Sequence, residues 1–484
     1  MSEMINAFPG YECVRGANGE LHNMYRGVDL GKGGWVYTEP GIYSNVALLD
    51  VQSMHPSSII ALNKLGEYTQ NYADLKQARV YIKEKRFDEA KKLFGGRLAK
   101  YLEDKDEAKA LSKAIKLPLN AFFGCSFGTF PNPARDSRDV NNIIALRGAL
   151  FMKTLFDEVA AKGYKIIHVK TDSLKVPNAD ISIVKFIQDF AKKYGYTMEH
   201  EAVYERMCLI DKAQYIASYM GAEECKKIYG YCPDENVDYI REHGHTWTAT
   251  GDEFRRPFIF KTMFSGEPLT FDDKCITNTV KDAAIYLDMN EHLADQTKAE
   301  LEMKKRIYNA EHPDKKKKYD TKYEGMSDEE LGDIINSAHD YHFVGRVGRF
   351  CPIKPGCGGG ELLVYRREKY DSVSGSKGYR WLEAEIVKEL GKEDDIDPTY
   401  YDEQIYKAIE AINQYGDYDR FVDTSRPYIF EKKERELLVP CGDGKYNTCL
   451  ECPNCSGDIC KRGYSLTAYI ENGGDSVIGK NVVY

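Results

Sequence analysis

Apolar and polar positions follow no clear period through residues 1–45, which are rich in glycine and turn formers. The first strong signal is NVALLDV at 45–51, a short continuous apolar run of the kind that predicts a strand buried on both faces. His55-Pro56-Ser57-Ser58 follows; Pro56 suits the first turn of a helix and IIAL continues it. Residues 74–119 predict an amphipathic helical hairpin joined near Gly95-Gly96, with Leu75, Ala78, Ile82, Ala90 and Leu93, then Ala108, Leu111, Ile115 and Leu119, at helical spacing. A helix is predicted over 139–161. KIIHV-KTDS-LKV at 165–176 reads as a hairpin about a four-residue polar turn. Residues 291–346 read as mostly helical, with a capping box at Ser327 and Glu330. The Gly-rich stretch 356–360 lacks the Lys-Ser/Thr ending of a phosphate-binding loop and reads as a turn.

Composition bounds this picture. The 484 residues suggest about three domains. With 42% hydrophobic and 30% charged residues the chain can bury a sizeable core. Its longest apolar stretches, such as 143–152, are broken by Arg147 and Gly148, so no membrane span is expected. Residues 1–10 carry no secretory signal pattern, and the 13 cysteines then read as reduced thiols of a cytoplasmic protein. A net charge of −9 argues against indiscriminate coating of nucleic acid but leaves room for a local basic groove. Arg79, Lys83, Lys85, Arg86, Lys91, Lys92 and Arg97 crowd the helical hairpin; on composition alone they are a solvated face.

Three segments carry candidate chemistry. Asp50 closes an apolar strand, where a lone carboxylate is costly without a partner. Asp172 sits in the hairpin turn, and Lys116-Leu-Pro-Leu-Asn120-Ala-Phe-Phe123-Gly124 lies between them in sequence. Two carboxylates from neighbouring strand ends can hold two Mg²⁺ about 3.5–4 Å apart, and a nearby lysine can meet a triphosphate as a point charge. Each piece alone is weak, since a strand-end Asp is more often structural.

Together, in order, they resemble family B DNA polymerases. DVQSMHPSSII (50–60) resembles motif A, KLPLNAFFG (116–124) motif B and VKTDS (169–173) motif C. NPARDSRDVNNIIALRGALFM (132–152) and VSGSKGYRWLEAEIV (373–387) are similar to phage members. The resemblance implies an α+β right-hand polymerase with an antiparallel-sheet palm, helical-hairpin fingers and a mostly helical thumb. The implied layout is palm over 1–61, fingers over 62–119, palm again over 120–290, and thumb with a C-terminal region over 291–484. It implies Asp50 and Asp172 as Mg²⁺ ligands with the Val51 carbonyl. Ser53, Met54 and His55 would approach the incoming dNTP, Lys116 its phosphates, and Asn120 and Phe123 its pocket. Thr171, Lys212 and Tyr215 would follow the DNA, the last two in a degenerate Lys-x-Tyr motif whose lysine position holds Ala213.

Departures from the pattern matter. His55 stands where a tyrosine normally excludes a ribose hydroxyl, and Lys170 replaces the first Asp of motif C, where it would soften repulsion between the carboxylates. Ala121 and Phe123 lack two motif B hydroxyls, and Pro118 would kink the helix carrying Lys116. The 49 residues before Asp50 are too few for a proofreading exonuclease, so a separate exonuclease or N-terminal chain is an expected partner beside primer-template DNA and dNTPs. Arg79 and Lys113 are the fingers cations singled out for triphosphate or template; Lys304, Lys305, Arg306, Arg346 and Arg349 are thumb candidates for backbone contacts. Cys441, Cys449, Cys452, Cys455 and Cys460 have spacings that suit Zn²⁺ or an iron–sulfur cluster, with free thiols as the alternative. Cys351 and Cys357 read as incidental. The reading is a phage-encoded polymerase acting in DNA replication. Its alternatives are a degenerate DNA-binding replisome subunit and a half active only with a partner chain.

Overall fold

A computed structural model describes residues 2–128, 130, 142–292, 295–425, 455–456 and 459–460. The chain mixes helices with antiparallel sheets and divides into two compact units, 1–254 with 410–484, and 255–409.

The first unit is organised by a seven-stranded sheet. Its strand order is 247–250, 215–219, 198–209, 41–51, 173–177, 168–170 and 36–38, antiparallel throughout. The central strand, Gly41–Val51, is buried along almost its whole length. Ala47, Leu49 and Val51 join the core beneath the helices Ile143–Ala161 and Ile181–Lys193; Val46 and Leu48 join a second cluster with Tyr43, Tyr204 and Tyr219. The apolar run at 45–51 is thus a strand covered on both faces, as its lack of alternation predicts.

The hairpin at 165–176 forms with a tighter turn than expected. His168–Lys170 pairs with Ser173–Pro177, leaving Thr171 and Asp172 between them. Thr171 takes a left-handed φ of 58°. Its N–H donates to the Trp35 carbonyl at 3.1 Å. A Cβ at Gly34 would lie 2.6 Å from the Thr171 side chain, so only glycine lets that backbone pass.

The predicted helical hairpin is more broken than its periodicity suggests. Thr69–Lys83 is followed by Phe87–Lys92, two short 3₁₀ turns and then Lys105–Phe127. Gly95-Gly96 sits in one of these turns, where Phe94 and Gly95 take left-handed conformations. The last helix passes through Pro118 and well beyond 119. Packing holds it across the proline: Leu119 is buried, and its carbonyl accepts the Tyr72 hydroxyl at 2.7 Å.

The second unit corrects the expectation of a mostly helical region after 290. It does contain the helices Gln296–Glu311 and Asp328–Ile335, the latter opened by the Ser327–Glu330 capping box. It also contains Ala384–Glu389 and most of Pro398–Asn413, but beside these helices stand a three-stranded sheet and a four-stranded sheet. These pair strands at 276–279 and 284–288 with strands between 341 and 383. That pairing draws 255–290 into the same compact unit as 291–409. Cys351 is not incidental to a turn. It is buried in a strand with its Sγ 3.5 Å from that of Cys275.

Candidate active site

A cavity of about 450 Å³ opens where the central strand of the first unit ends. Asp50, Val51, Ser53, Met54, His55, Lys116, Asn120, Phe123 and Asp172 all line it. Residues from three separated stretches therefore share one site.

The strand end sets the carboxylates. Asp50 pairs with Ser173 across one neighbour and with Glu199 across the other. The Val51 N–H donates to the Asp172 carbonyl at 2.8 Å, which locks the turn to the strand end. After Val51 the chain turns through Ser53, at a left-handed φ of 57°, into the helix Met54–Ala61. Gly148 lets that helix settle: a Cβ there would stand 2.5 Å from the Met54 sulfur. The helix start thus lies at the cavity, and the first N–H groups of a helix have no intrahelical partner, which favours anions.

The electrostatics are divided. Burial first and then Asp172, Glu201 and Glu199 push the Asp50 carboxyl up to about 8. Burial also raises Asp172 and Glu201. The Asp50 carboxylate accepts no hydrogen bond among the described residues, and the pull of Lys83 is too weak to outweigh burial and the neighbouring carboxylates. Against these carboxylates the same cavity sets the cations Arg79, Lys83 and Lys116. Arg79 Nη1 reaches Ser53 Oγ at 3.4 Å, and Lys83 lies 3.7 Å from Glu199. Lys83, not Lys170, is the cation that offsets Asp50. Lys170 is exposed at its strand end, and its charge acts on the buried Lys175.

One wall of the cavity is aromatic. The His55 and Phe123 rings stack with centroids 3.9 Å apart and planes 7° from parallel. Burial lowers the His55 pKa, so the ring is a neutral flat surface at neutral pH.

Not every expected residue comes to the cavity. Thr171 is next to it in sequence but serves the turn. The Lys212 carbonyl lies 3.3 Å from His168 Nε2. Tyr215 packs against Tyr204, with Lys175 Nζ 4.8 Å from its ring centroid, because it opens a strand inside the sheet. Lys113 lines a neighbouring cavity instead. Arg306 pairs with Asp328, and Arg349 with Glu385 and Asp272, so these two thumb candidates are engaged within the second unit. Cys455 and Cys460 are Cα partners in a two-stranded ladder. Cys441, Cys449 and Cys452 lie outside the described residues.

Glu199, Glu201, Gln52 and Lys83 also line the cavity and were not singled out by the motifs. A signal for two of them exists in MEHEA at 198–202, where strict alternation puts both glutamates on one face of a strand. Gln52 Nε2 donates to Glu199 Oε1 at 2.5 Å and orients it.

The donor set suits Mg²⁺, which takes one or two protein carboxylates and fills its shell with water and substrate phosphates, not with a protein cage. Among the described residues no group of three or more His, Cys, Asp or Glu forms a cage of that kind. No described helix is long and apolar enough to cross a membrane.

No family model matches the sequence. Over 201 residues the chain is 24% identical to DNA polymerase 2 of Aeropyrum pernix, covering 37% of this chain and 25% of that protein. The chain thus spans about a quarter of the curated relative it matches. The solved structure of the family B DNA polymerase from the hyperthermophilic archaeon Pyrobaculum calidifontis aligns with 81% of this chain and 48% of its own, at a TM-score of 0.36 and 16% identity. The sequence likeness is distant and partial.

Proposed function

We propose that this chain is a DNA-directed DNA polymerase that adds dNTPs to a primer 3′-end. The observation that carries the reading is the joining of Asp50 and Asp172 at one strand end, in a single cavity that Arg79, Lys83 and Lys116 also line. In this reading the seven-stranded sheet is the palm, the helices from 69 to 127 the fingers, and the second unit the thumb. The role in phage replication rests on the sequence resemblance at 132–152 and 373–387.

Asp50, Asp172 and the Val51 carbonyl would hold two Mg²⁺. Such ions would supply activation of the primer hydroxyl and stabilisation of the leaving pyrophosphate. The chain's own residues do the rest. Backbone N–H groups at Ser53, Met54 and His55 receive phosphate oxygens at the helix start. Arg79, Lys83 and Lys116 balance the charge that gathers on the triphosphate in the transition state. Asn120 and Phe123 border the nucleotide in this reading, and the flat His55–Phe123 stack would stand against the sugar and disfavour an added hydroxyl. Glu199 and Glu201 add carboxylates beside Asp50, and a bound cation would relieve the crowding that raises the Asp50 and Glu201 pKa values.

The test is primer extension by the full chain with a primed template, four dNTPs and Mg²⁺. The wild type is expected to extend the primer, and the D50A/D172A double variant to lose extension while still binding DNA. Normal extension by the double variant would overturn the assignment.

A further inference from the structure

A second cavity, of about 620 Å³, opens between the helix Thr69–Lys83, the turn after it, and the helix Lys105–Phe127. Arg79, Lys83, Lys85, Lys105, Lys109 and Lys113 line it, and no carboxylate does. Ile82, Phe87 and Ala108 form an apolar floor, and Ser112 adds a hydroxyl.

This is more than a solvated helix face. Lys105, Ala108, Lys109, Ser112 and Lys113 recur at three- and four-residue steps and therefore share one side of their helix. Three lysines stacked four residues apart repel one another, a spacing that lowers helix stability. Carboxylates are close in sequence yet kept off this face. Asp104 caps the helix by accepting the Asp106 and Glu107 N–H groups. Asp106 and Glu107 themselves do not line the cavity. A face kept only for solubility would intersperse both signs. Lys83 has the Glu199 carboxylate at 3.7 Å, whereas Lys85, Lys105, Lys109 and Lys113 have no ion pair among the described residues. Like charges gathered around a concave apolar floor, at the positive end of a long helix, describe a site for a multiply charged anion. Lysines, as rotatable point charges, suit a flexible polyphosphate better than a planar carboxylate.

Arg79 and Lys83 line both cavities, so the basic wall of the candidate active site continues into the second one. We propose that the second cavity binds a polyphosphate, either the pyrophosphate leaving group or the triphosphate of a waiting nucleotide, passed along Arg79 and Lys83. The two named sources rest on the polymerase reading; the binding itself does not.

The experiment is calorimetric titration of the full chain with inorganic pyrophosphate in metal-free buffer, repeated with dATP. Lys105→Gln with Lys109→Gln is expected to weaken pyrophosphate binding at least tenfold, and Lys105→Arg with Lys109→Arg to retain it. Both lysines are exposed, and an unchanged unfolding temperature checks that the variants remain folded. Weakening of pyrophosphate alone identifies the leaving group as the occupant; weakening of both ligands identifies the triphosphate. Equal affinity in wild type and K105Q/K109Q, or no binding by the wild type, overturns the proposal. A chain that binds pyrophosphate at these lysines but never extends a primer would break the polymerase reading alone. A chain that extends, with affinity indifferent to K105Q/K109Q, would break this proposal alone.

Discussion

Asp50 and Asp288 stand at the ends of buried strands, one in each unit, and they are opposites. Asp288 closes the strand Ala284–Asp288 and is fully buried. Its carboxylate lies 2.6 Å from His339 Nδ1 and accepts the Asn290 and Asp340 N–H groups at 3.2 and 3.0 Å. It is a pin, with its charge satisfied by the protein. Asp50 is next to last in the strand Gly41–Val51; its carboxylate accepts no hydrogen bond among the described residues and feels the charges of Asp172, Glu201 and Glu199. A strand-end Asp therefore says nothing by itself. The count of its partners separates a structural carboxylate from one arranged to receive a ligand.

The comparison is broken or sharpened first by neutralising each carboxylate. Asp50→Asn is expected to reduce primer extension by roughly a thousandfold or more, because it removes a charge from a two-metal site. In metal-free buffer the same change should raise the unfolding temperature, since it relieves an unpartnered charge. Adding Mg²⁺ should then stabilise the wild type and not the variant. A wild type that Mg²⁺ leaves unmoved would refute the contrast.

Asp288→Ala should do the reverse. It strands His339 and two backbone N–H groups, at a cost of roughly 4 kcal/mol. Thermal unfolding measures it, and a neutral result would make Asp288 no pin at all.

The same contrast shows what the sequence could disclose. The buried strand at 45–51, the 168–177 hairpin and the Ser327 cap were legible because each is a local pattern with a local cause. So were Asp50, Asp172, Lys116, Asn120 and Phe123, because their spacing and order resemble a known set. The sheets of the second unit were not legible. Their pairing joins 276–288 to strands roughly fifty to eighty residues on, and nothing local announces a partner at that distance. Glu199 and Lys83 were missed for a similar reason. Their importance comes from what the fold sets beside them, as does the displacement of Tyr215 into the sheet.

Next in size is Lys175, buried on the strand next to Asp50. Burial first, and then Lys170, lower its pKa from 10.5 to about 8. Because the folded value lies below the unfolded one, the unfolded chain binds more protons between about pH 8 and 10.5. Stability from this group therefore rises with pH across that window, and its penalty is complete below pH 8. Lys175→Met should remove that slope and gain roughly 2–3 kcal/mol at pH 7. Denaturant unfolding at pH 7 and pH 10 checks it. An unchanged slope would mean that Glu201 and Asp50 already hold the lysine charged.

The smallest effect separates the two aspartates by what surrounds them. Around Asp288, His339 stacks on Tyr341 and Tyr341 on Tyr370, so the rings there belong to the fold. At Asp50 the stacked pair is His55 on Phe123, and it forms a wall of the cavity. An offset or parallel ring pair contributes about 1 kcal/mol beyond its buried area. If that energy serves to hold a flat wall for a nucleotide, Phe123→Ala should change nucleotide handling more than folding. We expect the KM for dNTPs to rise about fivefold, which is that same 1 kcal/mol, and incorporation of ribonucleotides to increase relative to deoxynucleotides. Phe123→Tyr keeps the ring and should restore both. Single-nucleotide incorporation kinetics with paired deoxy and ribo substrates read the effect directly. A variant whose discrimination is unchanged while its unfolding temperature drops would place Phe123 with the rings around Asp288, as packing and nothing more.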